Sequence, residues 1–375
     1  MIYMDNAATT RPYEDVLDTY MNVNRSYYFN TASIHQAGRE AAKLLEASRR
    51  QVLDLMGLGN HECIFTSGAT ESNNIAIQSV LRHKKPFGRT MLISELEHPS
   101  VINVAEAMKD EGFNVRYIRT LPDGTVDMRH FAELLDDDVV FVTVMAVNNI
   151  VGSIQPIEEI CEALRQYPRV HFHVDATQAV GKIRMDYSEV DSISISAHKF
   201  HGVKGIGALM VKEVKTLSAI TYGGGHEGNI RSGTVNLPGA AAMARALRIS
   251  DEELDGSYTR VTAYNRRVRA ALDGLHAIQV QPSGVPHIMN ISFTGAKGEV
   301  VVNALGSHDI FVSTTSACAS KLKKLNETLL AMGNAQPVIE GSIRISFSSQ
   351  TEDMEVERLI TALHAVHNEI GDVLK

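Results

Sequence analysis

The run Ser192-Ile193-Ser194-Ile195-Ser196-Ala197-His198-Lys199 constrains the fold more than any other stretch. Serine and isoleucine alternate up to Ser196, the period of two expected of a half-buried strand. The alternation stops at a His-Lys pair, and the glycine-punctuated turn His201-Gly202-Val203-Lys204-Gly205-Ile206-Gly207 follows. Upstream, residues 170–174 form a second strand-like run that delivers Asp175 at its carboxyl end, within His173-Val174-Asp175-Ala176-Thr177-Gln178. Ligands of open α/β sheets sit outside the carboxyl ends of the strands, so Asp175 and Lys199 can meet in one cleft. A desolvated lysine there can bond a carbonyl as a Schiff base, and a buried aspartate can hold a protonated ring nitrogen. A solvated surface lysine after a strand is the competing reading, and these residues alone leave both open.

Composition narrows the class. A chain of 375 residues is long for one hydrophobic core, which predicts two domains. The net charge of −8 offers no basic footprint for nucleic acid as a direct partner. Cys63, Cys161 and Cys318 are three in number and far apart, which argues against a disulfide framework and a cysteine-rich zinc site. The amino terminus carries Asp5 and no basic-then-apolar leader, and no apolar run reaches membrane-spanning length. The expectation is a cytoplasmic, enzyme-sized protein with no membrane partner.

Strand-like and helix-like segments alternate along the chain, which points to an α/β architecture. Residues 6–12 make an irregular opening rich in small side chains. Apolar residues at helical spacing from Ala41 to Met56 predict a helix ending at Gly57. Cys63-Ile64-Phe65-Thr66 reads as a strand running into Ser67-Gly68-Ala69-Thr70-Glu71-Ser72-Asn73-Asn74 and a helix from Ile75. A Gly-Ala-Thr turn opening a helix offers free N–H groups and the positive end of the helix dipole, which suits a phosphate, although an ordinary capped helix start reads the same way. Met91-Leu92-Ile93-Ser94 is the next strand and is followed by Glu97-His98. Residues 139–147, ahead of Asn148-Asn149-Ile150, read as one long central strand because they are almost wholly apolar.

His171 and His173 form an H-x-H pair that we read as core or cleft residues, since no carboxylate or cysteine cluster accompanies them. Gly223-Gly224-Gly225-His226-Glu227-Gly228 matches G-x-G-x-x-G formally, but no clear strand precedes it and no helix opens in it. An acidic stretch over residues 251–257 reads as a break. After it come a helix over 261–275, a strand at 289–293, a helix from Glu299, the small-residue loop around Cys318, an alternating strand holding Arg344, and a final amphipathic helix.

Ten of these segments, in order from residue 3 to about 350, resemble the motifs of cysteine desulfurases of the NifS/IscS type, which are class-V, fold-type-I enzymes that use pyridoxal phosphate (PLP). They are Met4-Asp5-Asn6-Ala7-Ala8-Thr9-Thr10, Thr66-Ser67-Gly68-Ala69-Thr70-Glu71-Ser72, Glu97-His98, Val147-Asn148-Asn149, His173-Val174-Asp175-Ala176-Thr177-Gln178, Ser196-Ala197-His198-Lys199, Gly223-Gly224-Gly225-His226-Glu227, Arg231-Ser232-Gly233-Thr234, Ser316-Ala317-Cys318 and Ser342-Ile343-Arg344. The resemblance implies a large PLP-binding domain with a central, mostly parallel sheet over 16–255. A smaller α+β domain, from 1–15 and 256–375, would carry the cysteine loop.

It also implies roles. Lys199 bonds the cofactor, Asp175 pairs with the ring nitrogen, Gln178 reaches the ring hydroxyl, and His98 stacks on the ring and moves protons. Ala69, Thr70, Ser196 and His198 hold the phosphate, with Thr234 from the other subunit of a homodimer. Asn149, near both cofactor and substrate, and Arg344 bind the substrate carboxylate, and Asn30 joins the substrate site. Cys318 accepts sulfur from L-cysteine as a persulfide and passes it to an acceptor protein, either an iron–sulfur scaffold or a tRNA-thiolation enzyme. No metal is implied.

The chain departs from the family pattern at Ile150, where glutamate is usual, at Asn30-Thr31-Ala32-Ser33 for Asn-Pro-Ser-Ser, and at Thr315-Ser316 for Gly-Ser. It runs 31 residues past Arg344, fewer than members whose tail binds an iron–sulfur scaffold, which leaves a dedicated acceptor such as a tRNA-thiolating enzyme open beside that scaffold. A selenocysteine lyase and a class-V aminotransferase share most of these motifs, though the aminotransferase has no need of Cys318. A non-enzymatic relative would typically have lost Lys199 or Asp175.

Overall fold

The computed structural model describes residues 1–315 and 325–371. After a two-residue strand, β1 (Ile2–Tyr3), the chain lays down β2 (Glu62–Thr66), β3 (Thr90–Ser94), β4 (Asn114–Ile118), β5 (Val139–Thr143), β6 (His171–Asp175), β7 (Ser192–Ser196) and β8 (Gly207–Val211). These seven form one sheet in the order β2-β8-β7-β6-β5-β3-β4. Only β8 runs against its neighbours. Register places Asp175 beside Ser194, and Thr66 and Ser196 both beside Gly207, so the ends of β2, β6 and β7 converge on one edge.

Helices cover both faces, as parallel sheets require. Residues from Glu14–Ser26, Gln36–Leu55, Ile157–Leu164 and Leu237–Glu252 pack on one side around Val142, Val174 and Ile193. Ala69–Lys84 and Pro99–Met108 pack on the other around Ile64, Met91 and Phe141.

A second sheet follows, built from β9 (Ile278–Val280), β10 (Ile288–Phe293), β12 (Ser313–Thr314) and β13 (Ser342–Ser346) in the antiparallel order β12-β13-β10-β9. A short β11 (Ile310–Phe311) pairs in parallel with β1, so the amino terminus belongs to this half of the molecule. Met289, Ile291, Ile343 and Ile345 pack there against Val261, Val268, Leu359 and Leu363 of two long helices. Burying each such aliphatic side chain contributes about 1.5–3 kcal/mol relative to leaving it exposed.

Two expectations need correcting. The β7 serines do not face solvent: every residue of the strand is buried, and Ser192 Oγ lies 2.8 Å from both His171 Nε2 and His173 Nδ1. Two polar layers meeting inside the protein satisfy each other, so alternation here marks a polar seam rather than a wet face. The run 139–147 does not stay a strand to its end. Val144 N and Ala146 N still donate to His173 O and Asp175 O, but Asn148 Oδ1 then accepts from the N–H groups of Ile150 and Val151 and turns the chain away. The acidic stretch at 251–257, read as a break, is helical on either side of Glu253. The helices Leu237–Glu252 and Leu254–Leu272 are separated by Glu253 alone, with Leu254 and Ser257 turned inward and Asp251 pairing with Arg184.

Candidate active site

Beyond the ends of β2, β6 and β7 lies a cavity of about 530 Å³, lined by the carboxyl-terminal loops of the large sheet, the amino-terminal arm and Arg344 of β13. It holds Ala69, Thr70, His98, Asn149, Asp175, Gln178, Ser196, His198, Lys199 and Arg344 together. Two expected residues stay away from it within one chain. Asn30 is exposed on the segment between the first two helices, its Oδ1 accepting from Ala32 N, and Thr234 is exposed on the irregular segment ahead of the Leu237–Glu252 helix. Cys318 lies outside the described residues.

Asp175 ends β6 and is 5% exposed. Its Oδ1 accepts from Thr177 N at 3.0 Å and its Oδ2 from Asn73 Nδ2 at 2.8 Å. Lys199 closes the short turn after β7, where its ammonium donates to Ala7 O and Ala8 O at 2.8 Å each. Burial, reinforced by the Arg344 charge and opposed by Asp175 and Asp5, lowers this amine from 10.5 to about 8. Gln178 Nε2 donates to the same Ala7 carbonyl, and Gln178 Oε1 accepts from Lys182 Nζ at 3.1 Å. Lys182 is itself buried, and desolvation together with Lys199 and Arg344 brings it down to about 7. The arm is held in place by Thr10, whose N–H and Oγ1 both donate to His198 O.

The phosphate-sized end of the cavity is the start of the Ala69–Lys84 helix. Its N-cap is Gly68, so no side chain covers the first N–H groups. A Cβ at Gly68 would lie 3.4 Å from Ser196 Oγ, and one at Gly207 would come within 2.6 Å of Gly68 Cα. Only glycine permits this close approach of the two backbones. Thr70, Ser196 and His198 add two hydroxyls and an imidazole to the lining, and burial lowers His198 to about 4.

His98 caps the Pro99–Met108 helix, its Nδ1 accepting from Ser100 N at 3.1 Å. Burial lowers its pKa, with Lys199 adding to the effect and Asp175 opposing it. On the far wall Arg344 donates from Nη1 to Asn149 O and from Nη2 to Asp5 Oδ1, both at 2.8 Å. Its Nε is buried with no partner among the described residues, and Thr177 Oγ1 is orphaned likewise. An unpaired buried N–H costs about 1–3 kcal/mol, so Arg344 is poised for an anion.

This donor set fits the cofactor that the resemblance implies. A helix start with hydroxyls suits a phosphate, a carboxylate held by two donors suits a ring N–H, and a lysine amine near 8 suits a carbonyl. Asp5, Asn73, Ser100 and Lys182 had no place in the sequence reading of the site. For Asn73 a signal existed: it is a polar residue one helical turn ahead of Ile77, on a face that is otherwise apolar and buried. Asp5 and Lys182 carried no comparable signal.

The model of the aminotransferase class-V family matches residues 2–359. The NifS/IcsS protein homolog of Lactobacillus delbrueckii subsp. bulgaricus is 39% identical over 100% of this chain and 99% of its own length. The putative cysteine desulfurase IscS 1 of Bacillus subtilis (strain 168) is 35% identical over 92% of this chain and 93% of its own. A solved NifS-like protein superposes with a TM-score of 0.91 at 32% identity, covering 99% of both chains. Cavity, family model and relatives agree: the chain belongs to the class-V aminotransferase family, among its PLP-dependent cysteine desulfurases of the NifS/IscS type.

Proposed function

We propose that the chain removes sulfur from L-cysteine, releasing L-alanine and leaving a persulfide on Cys318 for an acceptor protein. The observation that carries this reading is the meeting of Lys199, Asp175 and Arg344 in one cavity beside an uncapped helix start. Lys199 would hold PLP through its amine, Asp175 would pair with the ring nitrogen and Gln178 with the ring hydroxyl, and Ala69, Thr70, Ser196 and His198 would hold the phosphate. When bound, PLP supplies the electron sink that takes the pair left at the substrate's Cα.

The chain's own groups do the rest. Arg344 binds the substrate carboxylate, with its free Nε and its guanidinium fork suited to a planar anion, and Asn149 sits beside it. His98, uncharged because burial lowers its pKa, would give up and take back a proton at Nε2, where its ring proton sits because Nδ1 is committed to the helix start. The Cys318 thiolate bonds to the substrate sulfur as the C–S bond breaks, and the electron pair and a proton stay with the carbon product, which leaves as alanine. Burial pushes the other two thiols up to about 12, in Cys63 inside β2 and in Cys161 on the Ile157–Leu164 helix, so neither supplies a thiolate near neutral pH.

We further propose a cytoplasmic homodimer in which Thr234 of the partner subunit joins the phosphate site, with Asn30 contributing to the substrate site only in that assembly. The acceptor is an iron–sulfur scaffold or a tRNA-thiolation enzyme. The experiment is reduction of the purified yellow protein with borohydride followed by peptide mapping. The cofactor should be fixed to the peptide containing Lys199, and a colourless protein that gains no visible band with added PLP would refute the reading.

A further inference from the structure

We propose that Asn73 is the positioning residue of this site, setting through one amide both the ring-proton placement of His98 and the aim of Asp175. The inference rests on the roles given above to those two residues. Asn73 is fully buried on the Ala69–Lys84 helix. Its Nδ2 donates to Asp175 Oδ2 at 2.8 Å and to Ser100 Oγ at 2.9 Å, while its Oδ1 lies 3.0 Å from His173 Nε2.

The amide can face only one way. Turned over, its oxygen would meet the Asp175 carboxylate at hydrogen-bond distance, acceptor against acceptor. With Oδ1 on His173, the His173 proton must sit on Nε2, which leaves Nδ1 to accept from Ser192 Oγ, and Ser192 Oγ to accept from His171 Nε2. Burial lowers both histidines to about 3, so the arrangement of neutral rings persists across the working pH range. A polar column thus runs from His171 through Ser192 and His173 and locks the amide from below.

Above it, the consequence reaches His98. Ser100 N donates to His98 Nδ1 at 3.1 Å, which makes that nitrogen an acceptor, and Ser100 Oγ, held by the Asn73 N–H, lies 2.8 Å from the same atom and turns its own proton to it. Two donors on Nδ1 leave the ring proton on Nε2, which has no partner among the described residues. The charged and titratable groups facing His98 are Asp175, Lys199 and, around the same cavity, His198, Lys204 and Arg344, with Glu97 preceding it. None of them contacts Nδ1, so its state is set by the N–H and hydroxyl of Ser100, the hydroxyl being the part that Asn73 holds in place. Protonating His98 at Nδ1 would set a third proton against two, which holds its pKa down beyond what burial does.

The test compares wild type, Asn73→Leu and Ser100→Ala by two readouts: PLP affinity of the apoprotein by absorbance titration, and the pH profile of kcat/KM. In Asn73→Leu, PLP binding should weaken by about tenfold, the effect of losing one hydrogen bond to a charged group. The acidic limb of the profile should move up by about one unit, because without the Asn73 donor the Ser100 hydroxyl turns over more readily to accept from a protonated ring. Ser100→Ala should move the limb in the same direction and leave PLP affinity at the wild-type value. It tests the His98 arm alone if the leucine variant does not fold. An Asn73→Leu protein that loses only thermal stability, with affinity and limb unchanged, would overturn the assignment. So would a limb that stays in place in Ser100→Ala. A wild type that binds no PLP would instead bring down the functional reading and this inference together.

Discussion

The floor of the cavity and its far wall are built on opposite plans. On the floor, Asp175 has both oxygens occupied by N–H donors, and His98 Nδ1 is held by Ser100. On the wall, Arg344 spends Nη1 on a backbone carbonyl and Nη2 on Asp5, and keeps a buried Nε with no partner among the described residues. A site whose acceptors are held in place before the ligand arrives does not reorganise as charge moves through it, which is the condition for electrostatic catalysis. A buried donor left unpaired stabilises nothing until an anion arrives. The floor therefore belongs to the chemistry and the wall to capture of the substrate.

That contrast can be broken by substitution. Asp175→Asn keeps the shape of the floor and removes its charge. Turnover should fall by about a hundredfold or more, with KM for L-cysteine changed far less. Steady-state rates of alanine release measure it, and near-normal kcat would contradict the assignment. Arg344→Ala attacks the wall. KM should rise by about tenfold to a hundredfold, the worth of charged hydrogen bonds to a carboxylate, with the larger share of the loss in KM. A variant that lost kcat with KM intact would merge wall and floor.

A smaller effect sharpens the comparison. The Lys199 amine lies on the floor, with its pKa lowered to about 8 by burial and by Arg344 across the cavity. Only the neutral amine attacks a carbonyl, so the rate of PLP uptake by the apoprotein should rise with pH and level off above about 8. Levelling near the ordinary lysine value of 10.5 would show that the floor is open to water.

Legibility in the sequence follows the same division. The floor's two ends were readable because strands announce themselves locally: the alternation that stops at Ser196 and the run that ends at Asp175 mark the observed strand ends. The polarity of the β7 serines was visible, but not that His171 and His173 would meet them, since that depends on strand register. The wall was legible only through resemblance. Asp5 and Arg344 are 339 positions apart and meet because β1 pairs with β11 and the arm runs on beside β13. Asn73 and Asp175, 102 positions apart, meet because a helix start and a strand end share one edge. At 251–257 the sequence showed a break but not the helices on either side of Glu253. Acidic residues on the outer face of a helix have the composition of a linker, and only the inward Leu254 and Ser257 reveal the helix.

The central claim is that sulfur leaves L-cysteine for one particular thiol. Wild-type protein given a single equivalent of L-cysteine, alkylated and mapped by mass spectrometry, should carry the added sulfur on the peptide containing Cys318. The Cys318→Ser protein should bind PLP normally and form no persulfide. Sulfur found on Cys63 or Cys161, or a Cys318→Ser protein that releases alanine at the wild-type rate, would contradict the account.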